Sequence, residues 1–124
     1  MQKLQIEKTK TSPEIHFDEQ THIHSIKGES YPENTTTFYT PVLEWLTKYL
    51  SKDNKDNIVF NMELIYFNSS SSKLFMDIFK MLEKTENDKI GVNWIYDKND
   101  EVMKEYGEGF QETIEHISFN LASK

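Results

Sequence analysis

IVFNMELIYFNSSSSKLFMDIF, residues 58–79, is the stretch whose reading decides the fold. Its first ten residues alternate. Ile58, Phe60, Met62, Leu64 and Tyr66 share one face of an extended chain, while Val59, Ile65 and Phe67 add apolar character to the other. Period-two patterning with apolar residues on both sides predicts a central strand covered on both faces. At Asn68 the period changes. Phe75, Ile78, Phe79 and Leu82 recur at spacings of three and four and predict a helix reaching about Lys84. A strand running straight into an amphipathic helix is half of a βαβ unit, which points to the α/β class.

Toward the N-terminus, Leu4 and Ile6 read as a short strand, broken by Thr11-Ser12-Pro13. Ile15 and Phe17 mark a second strand, and Ile23 and Ile26 a third that Lys27-Gly28 closes, with residues 18–22 as a hairpin connection. The spacing of three between Ile23 and Ile26 suggests a bulge there. Phe38, Val42, Trp45, Leu46, Tyr49 and Leu50 then follow helical spacing. Pro41 is expected either as the first residue of a segment capped by Thr40 or as a kink between two short pieces. Residues 51–57 form the loop after it.

Toward the C-terminus, Ile90, Val92, Trp94 and Tyr96 read as a strand. Asp97-Lys98-Asn99-Asp100 reads as a turn and cap for an acidic helix that Gly107 and Gly109 should stop. Ile117, Phe119 and Leu121 make a last strand. Residues 1–124 are thus expected to form one α/β domain. It should have a single mixed sheet of about six strands with three helices packed on it, STAS-like in general character.

Composition narrows the function. A chain of 124 residues with eight Phe, six Tyr and two Trp can bury one real core. Its net charge is −7, and all 14 cations are Lys. Nucleic acid rewards clustered Lys and Arg, so no nucleic-acid partner is expected. The missing guanidinium lowers the odds of an enzyme that clamps phosphates. There is no Cys, which removes disulfides, thiol nucleophiles and Cys-ligated zinc. No apolar run approaches the roughly 18 residues of a membrane span, and residues 1–10 do not pattern as a signal peptide. The cytoplasm is the expected location.

Four serines, Ser69 to Ser72, stand between the decisive strand and its helix. One reading is structural, because a serine oxygen caps a helix well. The other is functional. This position lies at the end of the sheet where α/β proteins place sites, and the first turn of a helix welcomes an anion. Lys73 opposes the helix dipole there unless a phosphoserine stands beside it.

The segments around the serines carry a family resemblance. They are Gly28-Glu29-Ser30-Tyr31-Pro32-Glu33-Asn34, Pro41-Val42-Leu43-Glu44-Trp45-Leu46, Tyr66-Phe67-Asn68-Ser69-Ser70-Ser71-Ser72-Lys73 and Trp94-Ile95-Tyr96-Asp97. With Thr11-Ser12-Pro13-Glu14-Ile15 and Glu105-Tyr106-Gly107-Glu108, the chain resembles the SiaC family of bacterial regulatory phosphoproteins over nearly its whole length. The resemblance implies a cytoplasmic, non-enzymatic partner switch without a cofactor. A SiaB-like Ser/Thr kinase would phosphorylate it and a SiaA-like PP2C-type phosphatase would reset it. The unphosphorylated form would bind and activate a SiaD-like diguanylate cyclase, linking it to cyclic-di-GMP and biofilm formation. The family's acceptor is a threonine directly after the asparagine, a position held here by Ser69. Ser70 and Ser71 are chemically equal neighbours. Asn68, Ser70, Ser72 and Lys73 would shape the site and touch partners. At fold level the arrangement also looks like the anti-sigma-factor antagonists, where a strand runs into a phosphorylatable serine.

Other groupings read as structural. His22 and His24 should share one side of a strand, with His16 nearby, but no carboxylate at convincing spacing completes a metal site, and surface histidines are expected. Asp97, Asn99, Glu101 and Glu108 echo a calcium loop, yet Val102 replaces the required glycine. Glu14, Asp18, Glu29 and Glu33 form no evident acid–base pair. Trp45 and Trp94 are expected in the core. An enzyme using the serine run as its active-site loop and a purely structural interaction domain remain the rival readings.

Overall fold

The computed structural model describes residues 3–53 and 56–124; residues 1–2 of the opening segment and 54–55 of the loop lie outside the described residues. Three strands open the chain: β1 (Leu4–Ile6), β2 (Glu14–Phe17) and β3 (Ile23–Ser30). Helix α1 (Thr35–Leu50), β4 (Ile58–Phe67), α2 (Ser69–Glu83), β5 (Ile90–Tyr96), α3 (Glu101–Thr113) and β6 (Ser118–Ser123) follow. The six strands stand side by side in chain order. β1, β2 and β3 pair antiparallel, and β3 to β6 pair parallel. The domain is therefore α/β with one mixed sheet and three helices, as expected.

Each parallel step moves one strand further in the same direction. Right-handed crossovers then place all three helices on one face of the sheet. Ile15, Phe17, Ile26, Phe60, Met62, Val92 and Trp94 point into that layer and are buried with the helical stripes. The opposite face stays uncovered. A single polar row crosses it through all six strands in register: Gln5, His16, Ser25, Asn61, Asn93 and Asn120. Asn93 Nδ2 donates to Asn61 Oδ1 at 2.9 Å, and Asn120 Nδ2 to Asn93 Oδ1 at 3.3 Å. This corrects the expectation that β4 is covered on both sides.

Further expectations are corrected. β3 does not close at Gly28 but continues to Ser30, and it carries no bulge between Ile23 and Ile26. Ile23 faces the open side, 52% exposed, while His24 takes the core position. The register slips instead between Gly28, at φ +122°, and Glu29, leaving Ile65 of β4 unpaired. That slip resets the alternation, so Phe67 turns inward and Tyr66 is exposed.

Helix α1 is one helix capped by Asn34, whose side chain accepts from Thr37 N–H at 3.0 Å. Pro41 lies within it on the exposed side and removes one backbone donor. Burial of Tyr39, Val42, Trp45, Leu46 and Tyr49 offsets that loss. Asp100 caps α3 as expected, but Gly107 and Gly109 do not stop it. A Cβ on Gly107 would meet Trp94 Cδ1 at 2.4 Å and Leu121 Cδ2 at 2.7 Å. That glycine lets α3 lie close on the sheet, and Trp94 Nε1 then donates to the Met103 carbonyl at 2.9 Å.

Candidate functional site

The C-terminal ends of β3 and β4 lead into the starts of α1 and α2. At β4 the turn takes one residue. Asn68 is extended and is the true cap of α2: its side chain accepts from Ser71 N–H at 2.9 Å, and its carbonyl accepts from Ser72 N–H at 3.0 Å. The expectation that a serine caps this helix is thereby corrected. The serines occupy the first four helical positions, and their 100° steps send them in different directions.

Ser69 and Ser70 are exposed, Ser72 is half-buried and Lys73 is exposed. Ser71 is 0% exposed. Its Oγ lies 2.8 Å from Ser30 Oγ, which lies 2.6 Å from Tyr39 OH. Asn68 N–H also donates to the Ser30 carbonyl at 3.1 Å. The end of β3, the start of α2 and the first turns of α1 are thus joined by one buried chain of hydroxyls. Burial raises the Tyr39 phenol well above its ordinary range, so it stays a neutral hydroxyl. Ser71, an alternate acceptor by chemistry alone, is buried. Exposed hydroxyls remain at Ser69 and Ser70.

Ser70 lines an open cleft of about 460 Å³ between α1 and α2, with Thr35, Thr36, Lys73 and Asp77 on its walls. Ser69 stands outside it. No histidine is among the described lining residues. Tyr31 and Tyr66 meet at 5.5 Å on the same end of the sheet, and Phe67 meets Tyr106 of α3 at 4.7 Å. Ser30 and Tyr106 stand in the sequence reading only within the family-like segments, and Tyr39 is absent from it. Tyr39 lies three residues before Val42 and seven before Leu46, a spacing that places it on the buried stripe of α1.

The histidines gather at the other end of the strands. Asp18 N–H donates to His24 Nδ1 at 3.0 Å, so His24 carries its proton on Nε2 and donates it to Tyr49 OH at 3.0 Å. Tyr49 O–H in turn donates to His22 Nδ1 at 2.5 Å. His22 Nε2 lies 3.4 Å from Asp56 Oδ2. Burial, then the neighbouring His22, pushes His24 down to about 4. Burial and the nearby Glu19, Asp56 and Asp18 raise Tyr49. His24 is therefore a core residue, not a surface one, and His16 lies on the open face. No group of three metal-ligating side chains occurs among the described residues. Asp97 accepts from Asn99 N–H and Asp100 caps α3, so the calcium-like spacing is a turn and a cap.

An exposed hydroxyl at Ser69 thus opens α2, while Ser71 two residues on is sealed inside the fold. A family model described as SiaC family regulatory phosphoprotein matches residues 6–124. A protein of Pseudomonas aeruginosa strain UCBPP-PA14, described as uncharacterized, is 33% identical over 114 residues, 90% of either chain. Apo-SiaC from Pseudomonas aeruginosa superposes with a TM-score of 0.86 at 32% identity, covering 100% of this chain and 99% of that one. A structure of the diguanylate cyclase SiaD in complex with its activator SiaC, from the same organism, matches with a TM-score of 0.90 at 31% identity, covering 98% and 99%. The chain belongs to the SiaC family of regulatory phosphoproteins.

Proposed function

We propose that this chain is a non-enzymatic partner switch controlled by phosphorylation of Ser69. In the unphosphorylated state it binds and activates a diguanylate cyclase. A Ser/Thr kinase releases that partner, and a PP2C-type phosphatase restores it, in the cytoplasm and in control of biofilm formation. The observation that carries this reading is the division of labour among the serines: Ser69 is exposed at the first position of α2, while Ser71 is locked inward. Phosphorylation would add about −1.5 to −2 charges and three acceptor oxygens. The unpaired N–H groups of a first helical turn and the positive dipole end accept such a group without rebuilding the fold. Lys73, one turn on, then becomes a partner of the phosphate instead of a misfit. Membership of a regulatory family and the likeness to an activator bound to a cyclase support the same reading. Among the described residues no histidine lines the cleft beside Ser70.

The test is mass spectrometry after co-expression with the kinase, followed by cyclase assays. Phosphate is expected on Ser69, none on Ser71, and cyclase activation is expected from wild type and Ser69→Ala but not from the phosphorylated chain. Phosphate confined to another residue, or unchanged activation by the phosphorylated form, would sink the assignment.

A further inference from the structure

We propose that the outer edge of β6 pairs with the same edge of a second copy of this chain, antiparallel across a dyad at Asn120, so that two sheets become one. The proposal is independent of the partner reading above. β6 ends the strand order, and among the described residues no strand lies beyond it. The two edges of the sheet differ. β1 is three residues long, with exposed Lys3 before it and exposed Glu7 and Lys8 after it. Short, charged edges resist pairing. β6 has six residues, Ser-Phe-Asn-Leu-Ala-Ser, with no charge and no proline among them. An edge without such guards is a template for another strand.

Hydrogen bonds at the end of β6 fix which backbone groups face outward. Lys124 N–H donates to the Tyr96 carbonyl at 2.9 Å, and the Lys124 carbonyl accepts from Lys98 N–H at 3.1 Å, so Lys124 turns its backbone toward β5. Backbone groups of successive strand residues turn to opposite sides. Ser118, Asn120 and Ala122 therefore face β5, and Phe119, Leu121 and Ser123 face outward. Gln111 Nε2 of α3 agrees, reaching over the edge to donate to the Phe119 carbonyl at 2.8 Å. That oxygen keeps a second lone pair.

The edge is complementary to itself. With a dyad at Asn120, Phe119 of one copy lies opposite Leu121 of the other, and such an outward-facing pair exchanges both backbone bonds. Their side chains lie on the helix side of the sheet, so each pair extends the core. On the open face Ser118 meets Ala122, and Asn120 meets its own counterpart, continuing the amide row of Asn61, Asn93 and Asn120. Charge agrees. Exposed Glu112 and Glu115 precede β6, and exposed Lys98 and Lys124 stand at its end. Lys124 Nζ is held by Glu63, which leaves Lys98 as the cation near the second copy's Glu115. Antiparallel pairing sets the basic end of each strand against the acidic start of the other, while parallel pairing would set like against like. An extended peptide of another protein would take the same backbone bonds, but the matched ends single out this chain.

Sedimentation velocity of the full chain tests this. A concentration-dependent dimer is expected at about 100 μM. Asn120→Lys and Asn120→Glu each set like charges directly opposite one another across the dyad, and each should weaken self-association about 10-fold or more. An equimolar mixture of the two variants should dimerise at least as well as wild type. Asn120 is exposed and gives up one side-chain bond of 3.3 Å, so melting temperatures at low concentration should stay close to wild type. Amide hydrogen exchange adds a reading that needs no variant: the Leu121 N–H should slow as concentration rises. A wild-type chain that stays monomeric to about 1 mM overturns the proposal. Dimers kept by both single variants, a mixture that stays monomeric, or Leu121 exchange that ignores concentration would each overturn it as well.

Discussion

The two ends of the parallel strands are both polar, yet they are built for opposite purposes. At the N-terminal end, hydrogen bonds run in one direction, from the Asp18 backbone N–H through His24 and Tyr49 to His22. At the C-terminal end, Ser71, Ser30 and Tyr39 form a similarly closed chain, but Ser69 and Ser70 are left outside it. A polar group satisfied inside the fold is structural, and changing it costs stability. A polar group one helical step away, facing water, can be changed at almost no cost to the fold. Ser71 and Ser69 differ in direction, not in residue type.

The largest expected effect breaks the sealed chain at the C-terminal end. Ser71→Asp would bury a carboxylate beside two hydroxyls with no cation in the network. The loss should be about 3 kcal/mol or more in urea denaturation. A Ser71→Asp protein as stable as wild type would mean that Ser71 turns outward and that the two serines are equivalent.

Next in size is the acid response of the N-terminal end. His24 has a folded value of about 4, below the unfolded 6.5. Between these values the unfolded state binds more protons, so stability falls as pH drops from about 6.5 toward 4 and is insensitive to this group above 6.5. Protonation would also turn Nδ1 into a donor facing the Asp18 N–H. From pH 7 to pH 5 the expected loss from His24 is on the order of 2 kcal/mol. The measurement is a pair of denaturation curves at the two pH values for wild type and His24→Gln. If both proteins lose stability equally, the histidine does not carry the effect.

Much of this was legible in the residues alone. β4 and α2 announce themselves because the hydrophobic period switches from two to four at Asn68. The helix α3 was read too short because a glycine pair resembles a stop signal, while Gly107 is there to admit Trp94. Burial on both sides of β4 was inferred from Val59, Ile65 and Phe67, but a one-residue slip at Gly28 moves Phe67 to the core face. Such a slip depends on pairing between strands distant in sequence, and no local pattern records it. The same holds for the serines: four identical side chains differ only through Asn68 as the cap and Ser30 as a partner 41 residues from Ser71.

The smallest expected effect sharpens the comparison most. Ser69→Asp places a carboxylate at the first position of α2, where the dipole favours negative charge and Lys73 lies one turn away. Neither interaction is buried, so the gain should be only about 0.3–1 kcal/mol, read as a rise of roughly 1–4 °C in melting temperature. The rise should shrink in high salt, because the charges are exposed to screening. A fall in melting temperature of several degrees would instead show the Ser69 side chain to be part of the packing. The two ends of the sheet would then no longer differ, since each would consist of polar groups the fold cannot spare. A small salt-sensitive gain, set beside the collapse of Ser71→Asp two residues away, is the energetic signature of a surface that can change its charge while the domain beneath it stays the same.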